Sequence, residues 1–199
     1  MRLVVSELGC ERGGRLLFSG LSFSIAEGQT AILIGPNGAG KTSLISVIAG
    51  LLRPQSGTVC MKVDGVEEPQ IAELTHLVGH RDGLKAQLLV EENLVFSQQL
   101  LGPPASTPRD ALAALGLAHV SRTPTAYLSA GQRKRVALAR LILSRRPLWL
   151  LDEPMAALDE NSRGLLAGLM RGHLESGGMI LAATHGPLGI SGDEIRIGS

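Results

Sequence analysis

A glycine-rich segment that ends in lysine and threonine has the composition of a phosphate-binding loop. Gly35-Pro36-Asn37-Gly38-Ala39-Gly40-Lys41-Thr42 fits the pattern GxxxxGK[ST] at every fixed position. Glycines let backbone N–H groups close around phosphate oxygens, and a helix that starts here adds partial positive charge. We expect Lys41 to reach the β- and γ-phosphates of a nucleotide, Thr42 to bind Mg²⁺, and the binding set to include Ser43. The alternative is a glycine-rich turn without a ligand.

Two acidic side chains follow an apolar run further along the chain. Leu148-Trp149-Leu150-Leu151 predicts a buried strand, and Asp152 and Glu153 come directly after it. Asp152 is placed to organise Mg²⁺ and its waters, and Glu153 to orient or deprotonate an attacking water. Acidic residues also end strands at a surface without any chemistry. The catalytic interpretation is therefore preferred only because a phosphate-binding loop precedes this pair.

Strand and helix patterns alternate around these two motifs. Short β-branched or apolar runs predict strands at 3–8, 21–25, 30–34, 58–63, 148–151, 179–183 and 194–197, the first two joined by a turn at Gly13-Gly14. Apolar positions at helical spacing predict helices at 41 to about 50–54, 91–101, 109–117, 130–144 and 160–174. Thr107 is the expected N-cap of the third helix, with Pro108 as its first residue. The alternation predicts an α/β fold with a largely parallel sheet and a helical segment inserted at about 83–145.

Composition and charge exclude several classes of protein. The chain has 199 residues, of which 44% are hydrophobic and 19% charged, as expected for one globular domain. A net charge of +1 and only 3% aromatic residues argue against a nucleic-acid partner. Cys10 and Cys60 belong to no CxxC or Cys/His cluster, and we expect free thiols that act as small core residues. No apolar run reaches the length of a membrane helix and no signal-peptide pattern opens the chain, so we expect a cytoplasmic chain that reaches a membrane through a partner.

Three further segments carry a resemblance to a known family. Leu128-Ser129-Ala130-Gly131-Gln132 resembles the LSGGQ signature of ATP-binding cassette (ABC) ATPases, with Ala130 in place of the first glycine. The segment 153–159 resembles the D-loop of that family, and Thr184-His185 resembles its switch histidine. The motifs occur in the family's order. The resemblance implies one ABC-type nucleotide-binding domain over 1–199, a P-loop NTPase with an antiparallel β subdomain and an inserted helical signature subdomain.

The resemblance also assigns roles. It implies a head-to-tail homodimer, in which Ser129 and Gly131 of one subunit contact the γ-phosphate held by the other, with Gln132 in the same binding set. His185 is expected to contact the γ-phosphate beside Glu153, although an ordinary surface histidine is the alternative. For Arg133 and Lys134, the alternative to a functional role is that they form a solvated helix face that supports the signature. We expect structural or surface roles for His76, His119 and His173.

Two positions depart from the family pattern. His80 stands where ABC ATPases usually carry a glutamine that binds a water on Mg²⁺, a contact that neutral histidine can also make. Arg12 stands where the family places an aromatic residue against adenine. A planar guanidinium can stack on a base. The alternative to stacking, to which we give the same weight, is an exposed arginine in a turn.

A narrower resemblance concerns the middle and the start of the chain. The segments 79–85, 91–94, 10–13 and 15–23 are similar to the ATP-binding subunits of the haem exporters of cytochrome c biogenesis. This implies a motor subunit bound to an integral membrane subunit at the cytoplasmic face of the inner membrane. No CxxCH motif is present, so we expect no direct haem binding. In such a transporter the segment 80–94 would receive the membrane subunit through Leu84, Leu88 and Leu89. The alternative is that these leucines only pack the helical segment.

Three other functions compete with haem export. The ATP-binding subunit of another ABC exporter would carry the same motifs. A soluble ABC ATPase acting on DNA or ribosomes usually has long coiled-coil insertions or two cassettes, and this chain has neither. A simple P-loop kinase would leave the signature segment and His185 unexplained.

Overall fold

Two β-sheets organise the computed structural model, which describes residues 1–68 and 71–198. Their strands are β1 (Arg2–Arg12), β2 (Arg15–Ala26), β3 (Thr30–Ile34), β4 (Ser56–Val63), β5 (Val66–Glu68), β6 (Thr75–Val78), β7 (Leu148–Asp152), β8 (Met179–Ala183) and β9 (Asp193–Arg196). One sheet is antiparallel with the order β2-β1-β4-β5, and the other is parallel with the order β6-β7-β8-β3-β9. The predicted α/β class and its parallel sheet are confirmed.

The first hairpin shows how turn chemistry sets register. Gly13 and Gly14 have φ angles of 60° and 74°, the left-handed values that a two-residue type I′ turn requires. Arg12 pairs with Arg15 across this turn. Both strands extend beyond the predicted 3–8 and 21–25, and the added portions include the buried residues Cys10 and Phe18. Arg12 is thereby carried to the tip of the ribbon.

The helices match the predicted positions closely. They are α1 (Lys41–Ile48), α2 (Val90–Leu101), α3 (Pro108–Ala114), α4 (Ala130–Leu143) and α5 (Glu160–Glu175). Thr107 caps α3 as expected, since its side chain accepts a hydrogen bond from the backbone N–H of Asp110. Helix α4 packs against both α2 and α3. Within residues 1–68 and 71–198, no helix combines the length and apolar character that crossing a membrane requires.

Two hydrophobic clusters lie on opposite faces of the parallel sheet. Alternate residues of β7 divide between them: Leu148 and Leu150 join β1 and α1 on one face, whereas Trp149 and Leu151 join the helices on the other. This alternation follows from the two-residue period of a strand. The parallel sheet is therefore the middle layer, covered by the antiparallel sheet with α1 on one side and by α2–α5 on the other.

Some elements were not predicted. Strand β6 has four residues and contains the buried polar pair Thr75 and His76, so it lacks the apolar run that indicates a buried strand. Strand β5 has three residues. Short 3-10 helices at Ile71–Leu74, Ala118–Val120 and Thr125–Tyr127 were also absent from the prediction. Such short elements depend on neighbours distant in sequence, and local patterns do not reveal them.

Candidate functional site

The glycine-rich loop connects the end of β3 to the start of α1. Gly35 and Gly40 have φ angles of 152° and 106°, and a Cβ on Gly35 would lie 2.3 Å from the carbonyl oxygen of Ile197. Lys41 is the first residue of α1 and is only 8% exposed. Its Nζ donates hydrogen bonds to the carbonyls of Gly35 (2.7 Å) and Pro36 (3.1 Å). The loop thus wraps around an ammonium group at a helix N-terminus.

A cavity of about 460 Å³ opens beside this loop. The carboxyl ends of β3, β7 and β8 meet at this edge of the parallel sheet, which is where α/β folds bind ligands. Its lining contains Arg12, Leu17, Asn37, Gly38, Gly40, Lys41, Thr42, Ser43, His80, Asp152, Glu153 and His185. The structure therefore brings together predicted residues from distant parts of the sequence, the first being Arg12 and the last His185.

Thr42 and Asp152 form a direct pair at the floor of the cavity. The hydroxyl of Thr42 donates to Oδ2 of Asp152 at 2.8 Å, and Asp152 is 4% exposed at the end of β7. A hydroxyl and a carboxylate are oxygen ligands of the kind that Mg²⁺ uses. In the part of the chain that the structure describes, no group of three or more His, Cys, Asp or Glu side chains could hold a metal ion by itself.

Glu153 and His185 face each other across two neighbouring strand ends. Glu153 Oε1 lies 3.8 Å from His185 Nε2, close enough for electrostatic interaction but too long for a hydrogen bond. Glu153 has a φ of 47°, and its backbone N–H donates to the carbonyl of Ala183 at 2.9 Å. This left-handed conformation turns the chain sharply after Asp152. No sequence signal indicated it, because only glycine and, less often, asparagine or aspartate are typical there.

The two positions that depart from the family pattern both line the cavity. His80 is exposed and follows β6 by two residues. Arg12 is exposed at the tip of the hairpin and lines the cavity together with Leu17 and residues of the glycine-rich loop. This position is compatible with an exposed turn residue and with a guanidinium that stacks on a base, and the choice between them stays a prediction.

The signature residues lie elsewhere in the same chain. Ser129 is the N-cap of α4, and its side chain accepts a hydrogen bond from the N–H of Gln132 while the Gln132 side chain accepts from the N–H of Ser129. A Cβ on Gly131 would lie 2.8 Å from the carbonyl oxygen of Ala157. The lining of the cavity includes none of these side chains. They form a separate surface at the start of α4, where Ser129 is exposed and Gly131 and Gln132 are half-buried.

The burial of two side chains bears on alternatives that the sequence left open. Lys134 is 6% exposed, so a solvated helix face is the wrong description of this lysine. Leu84 is half-buried and packs against the helical side of the core, which favours the packing role for that leucine.

His76 is buried, His173 stacks on Trp149 with ring centroids 3.9 Å apart, and His119 is exposed. The predicted structural or surface roles of these three histidines are confirmed.

Comparisons with known proteins agree with this geometry. The family model described as ABC transporter matches residues 18–156. Proteins described as cytochrome c biogenesis ATP-binding export protein CcmA are 52% identical in Rhodopseudomonas palustris (strain BisB18), over 100% of this chain and 98% of that protein, and 48% identical in Mesorhizobium japonicum, with the same coverage.

Solved structures show the same fold. An ABC transporter ATP-binding protein of Pyrococcus furiosus has a TM-score of 0.83 at 22% identity, covering 99% of this chain and 98% of that chain. A second structure, of an ATP-binding subunit of an ABC transporter, has a TM-score of 0.82 at 25% identity, covering 93% and 80%. This chain is therefore an ATP-binding protein of the ABC transporter family, and within it belongs to the cytochrome c biogenesis ATP-binding export proteins.

Proposed function

We propose that this chain is the ATP-hydrolysing subunit of the membrane transporter that exports haem for cytochrome c biogenesis. The observation that carries the proposal is the identity of about half of all residues, over the full chain, with proteins named for ATP-binding export in cytochrome c biogenesis. The cavity supports it, because phosphate-binding and water-activating groups surround one space. ABC ATPase activity requires both kinds of group in one site.

The cavity residues have separate roles in this proposal. Residues 35–43 bind the phosphates, with Lys41 between the β- and γ-phosphates. Thr42 and Asp152 would hold Mg²⁺, and His80 would contact the ion through a water molecule. When bound, Mg²⁺ supplies charge that neutralises the phosphate oxygens. Glu153 orients and deprotonates the attacking water, and His185 contacts the γ-phosphate beside it.

Two copies of the chain complete the site. Ser129, Gly131 and Gln132 are exposed or half-buried and lie outside the cavity of their own chain. A second copy arranged head to tail would bring its signature to the γ-phosphate, and the N-terminus of its α4 would add partial positive charge. The helical segment of about 83–145 serves in this arrangement as the signature subdomain of a single ABC domain.

The membrane subunit docks on an apolar surface of α2 and its N-cap residue, which we name the α2 patch and define as Leu89, Val95 and Phe96. Val95 and Phe96 are 41% and 40% exposed, and the three side chains line a groove whose rim is charged and polar. The ammonium of Lys85 lies 3.8 Å from the centre of the Phe96 ring. The patch therefore adjoins the segment that carries His80, which lines the nucleotide cavity. Docking there places the chain on the cytoplasmic face of the inner membrane, with neither haem nor nucleic acid bound to it directly.

Purification from detergent extract tests the proposed assembly. A tagged wild-type chain is expected to bring down an integral membrane protein and to hydrolyse ATP in a reaction that EDTA stops. The membrane protein is identified by mass spectrometry. Hydrolysis that continues at full rate in EDTA would contradict the assigned Mg²⁺ site. Recovery of nucleic acid or ribosomes in place of a membrane protein would contradict the transporter.

A further inference from the structure

One lysine of α4 is buried beside the nucleotide site without entering it. Lys134 is 6% exposed and is absent from the lining of the nucleotide cavity. Within residues 1–68 and 71–198, its ammonium group makes a single hydrogen bond, to the carbonyl of Gly79 at 3.4 Å. An ammonium group has three donors, and burying it with one long hydrogen bond is unfavourable compared with an apolar chain of equal length. The position therefore needs an explanation other than stability.

The charges around Lys134 connect it to the catalytic carboxylates. Burial lowers the pKa of Lys134, while the carboxylates of Asp82, Asp152 and Glu153 oppose that shift. Arg140 acts in the same direction as burial. All three carboxylates therefore favour the charged form of Lys134.

Helix α4 holds the same segment at two further points. Arg133 Nε lies 3.9 Å from Asp82 Oδ2, and Arg140 donates to the carbonyl oxygen of Asp82. We name residues 79–83 the histidine loop, because His80 belongs to it. Three cations of one helix therefore contact a five-residue loop, and the central one, Lys134, is the most deeply buried.

We propose that Lys134 is a positioning residue of the ATP-hydrolysing site, which fixes the histidine loop where it leaves β6, next to the end of β7, since Val78 pairs with Leu151. The proposal rests on the proposed function, in which His80, Asp152 and Glu153 serve hydrolysis. Lys134 acts through these groups and does not touch nucleotide. Because α4 also carries the signature at its N-terminus, the contact couples the position of the signature to the alignment of the hydrolytic groups. Its loss should therefore slow turnover without weakening nucleotide binding.

The kinetic test separates turnover from binding. In Lys134→Met we expect kcat to fall about tenfold or more, while KM and the calorimetric affinity for ATP change less than about threefold. Lys134→Arg keeps the charge and should recover most of the lost rate. Arg135→Met is the matched control, since this neighbouring cation donates to the carbonyl of Leu115 and not to the histidine loop. A kcat within about twofold of wild type in folded Lys134→Met would overturn the proposal.

A second measurement does not depend on hydrolysis. Amide hydrogen exchange of residues 79–83 should become at least about fivefold faster in Lys134→Met at an unchanged melting temperature, and stay at the wild-type rate in Arg135→Met. Unchanged exchange would overturn the proposal whatever the kinetics. If Lys134→Met melts far below wild type, Lys134→Gln is compared in the same way. A wild-type chain that binds ATP and never hydrolyses it would contradict the proposed function, and exchange would still decide the role of Lys134.

Discussion

The backbone conformation of Glu153 determines where its carboxylate lies in the site. Its φ of 47° is unfavourable for a non-glycine residue by about 1–2 kcal/mol. The hydrogen bond from its N–H to Ala183 compensates part of that cost. The unusual turn lets Asp152 and Glu153 both line one cavity although they are adjacent in sequence.

Replacement of Glu153 by glutamine tests the role of its carboxylate. Glu153→Gln keeps the size of the side chain and removes the base, so kcat should fall about 10²- to 10⁴-fold. ATP affinity measured by calorimetry should stay within about twofold, because the phosphate-binding loop is intact. Glu160→Gln, in the exposed first turn of α5, is the control. Hydrolysis at the wild-type rate by Glu153→Gln would show that this carboxylate is not the base.

His76 should make the fold sensitive to acid. Burial, the largest effect, lowers its pKa to about 4, and Arg146, His173 and Arg140 add to that shift, whereas the hydrogen bond to the carbonyl of Ser144 opposes it. The unfolded chain therefore binds more protons than the folded chain between pH 6.5 and 4, and stability falls as the pH falls through that window. The loss between pH 7 and 4.5 amounts to about 2 kcal/mol.

Urea unfolding at these two pH values measures this contribution. His76→Gln retains an N–H donor for Ser144 and cannot titrate, so its stability should fall less on acidification than that of wild type, by about 2 kcal/mol. His119→Gln changes an exposed histidine and should reproduce the wild-type loss. An equal loss in His76→Gln and wild type would show that His76 does not carry the acid sensitivity.

At the scale of elements, a strand or helix could be predicted where its own sequence contains an apolar run or a capping residue. Strands β3 and β8 were predicted with their observed bounds, because each is a continuous apolar run buried in the sheet. Strand β6 was missed, because its polar Thr75 and His76 are buried through contacts with distant residues. The start of α3 was predicted because Thr107 caps it, whereas its predicted end at Leu117 lies three residues beyond the observed end at Ala114.

The features of the candidate site also divide into those that the sequence predicts and those that depend on tertiary contacts. The glycine-rich loop and the acids after β7 were found because their spacing itself carries the chemistry. The burial of Lys134 could not be found, because a lysine on a helix with several other basic residues is normally exposed. It depends on how α4 packs against the histidine loop, and that packing has no local signature. The left-handed Glu153 was missed for a related reason, since tertiary contacts impose its conformation.

The N-terminus of α4 provides a test of action between two subunits. Ser129→Asp keeps a good N-cap and places a carboxylate where the partner's γ-phosphate would lie, whereas Ser129→Asn keeps the cap without charge. In a Glu153→Gln background, ATP should produce dimers with Ser129→Asn and not with Ser129→Asp, as measured by light scattering. Both variants should bind ATP as monomers with unchanged affinity. Loss of ATP binding by monomeric Ser129→Asp would contradict the assignment of Ser129 to the partner's site.

At the scale of the whole molecule, the α2 patch predicts how the chain meets its membrane subunit. Phe96→Asp puts a charge where an apolar contact is expected, and burying that charge without a partner is costly. Co-purification with the membrane subunit should fall at least about tenfold, a loss of roughly 1.4 kcal/mol, while ATP binding stays unchanged. Leu100→Asp is the control, because Leu100 is 67% exposed on the same helix and lies outside the groove. Equal association of Phe96→Asp and wild type would place the docking surface elsewhere.

Maturation of c-type cytochromes tests the central claim most directly. A bacterial strain that lacks its own ATP-binding subunit for cytochrome c biogenesis is supplied with this chain, and covalently bound haem in its c-type cytochromes is measured by peroxidase staining. The wild-type chain is expected to restore haem-containing cytochromes, and Glu153→Gln, present in equal amount, is expected to leave them absent. Restoration by Glu153→Gln to the wild-type level would contradict the account, because maturation would then proceed without ATP hydrolysis at this site.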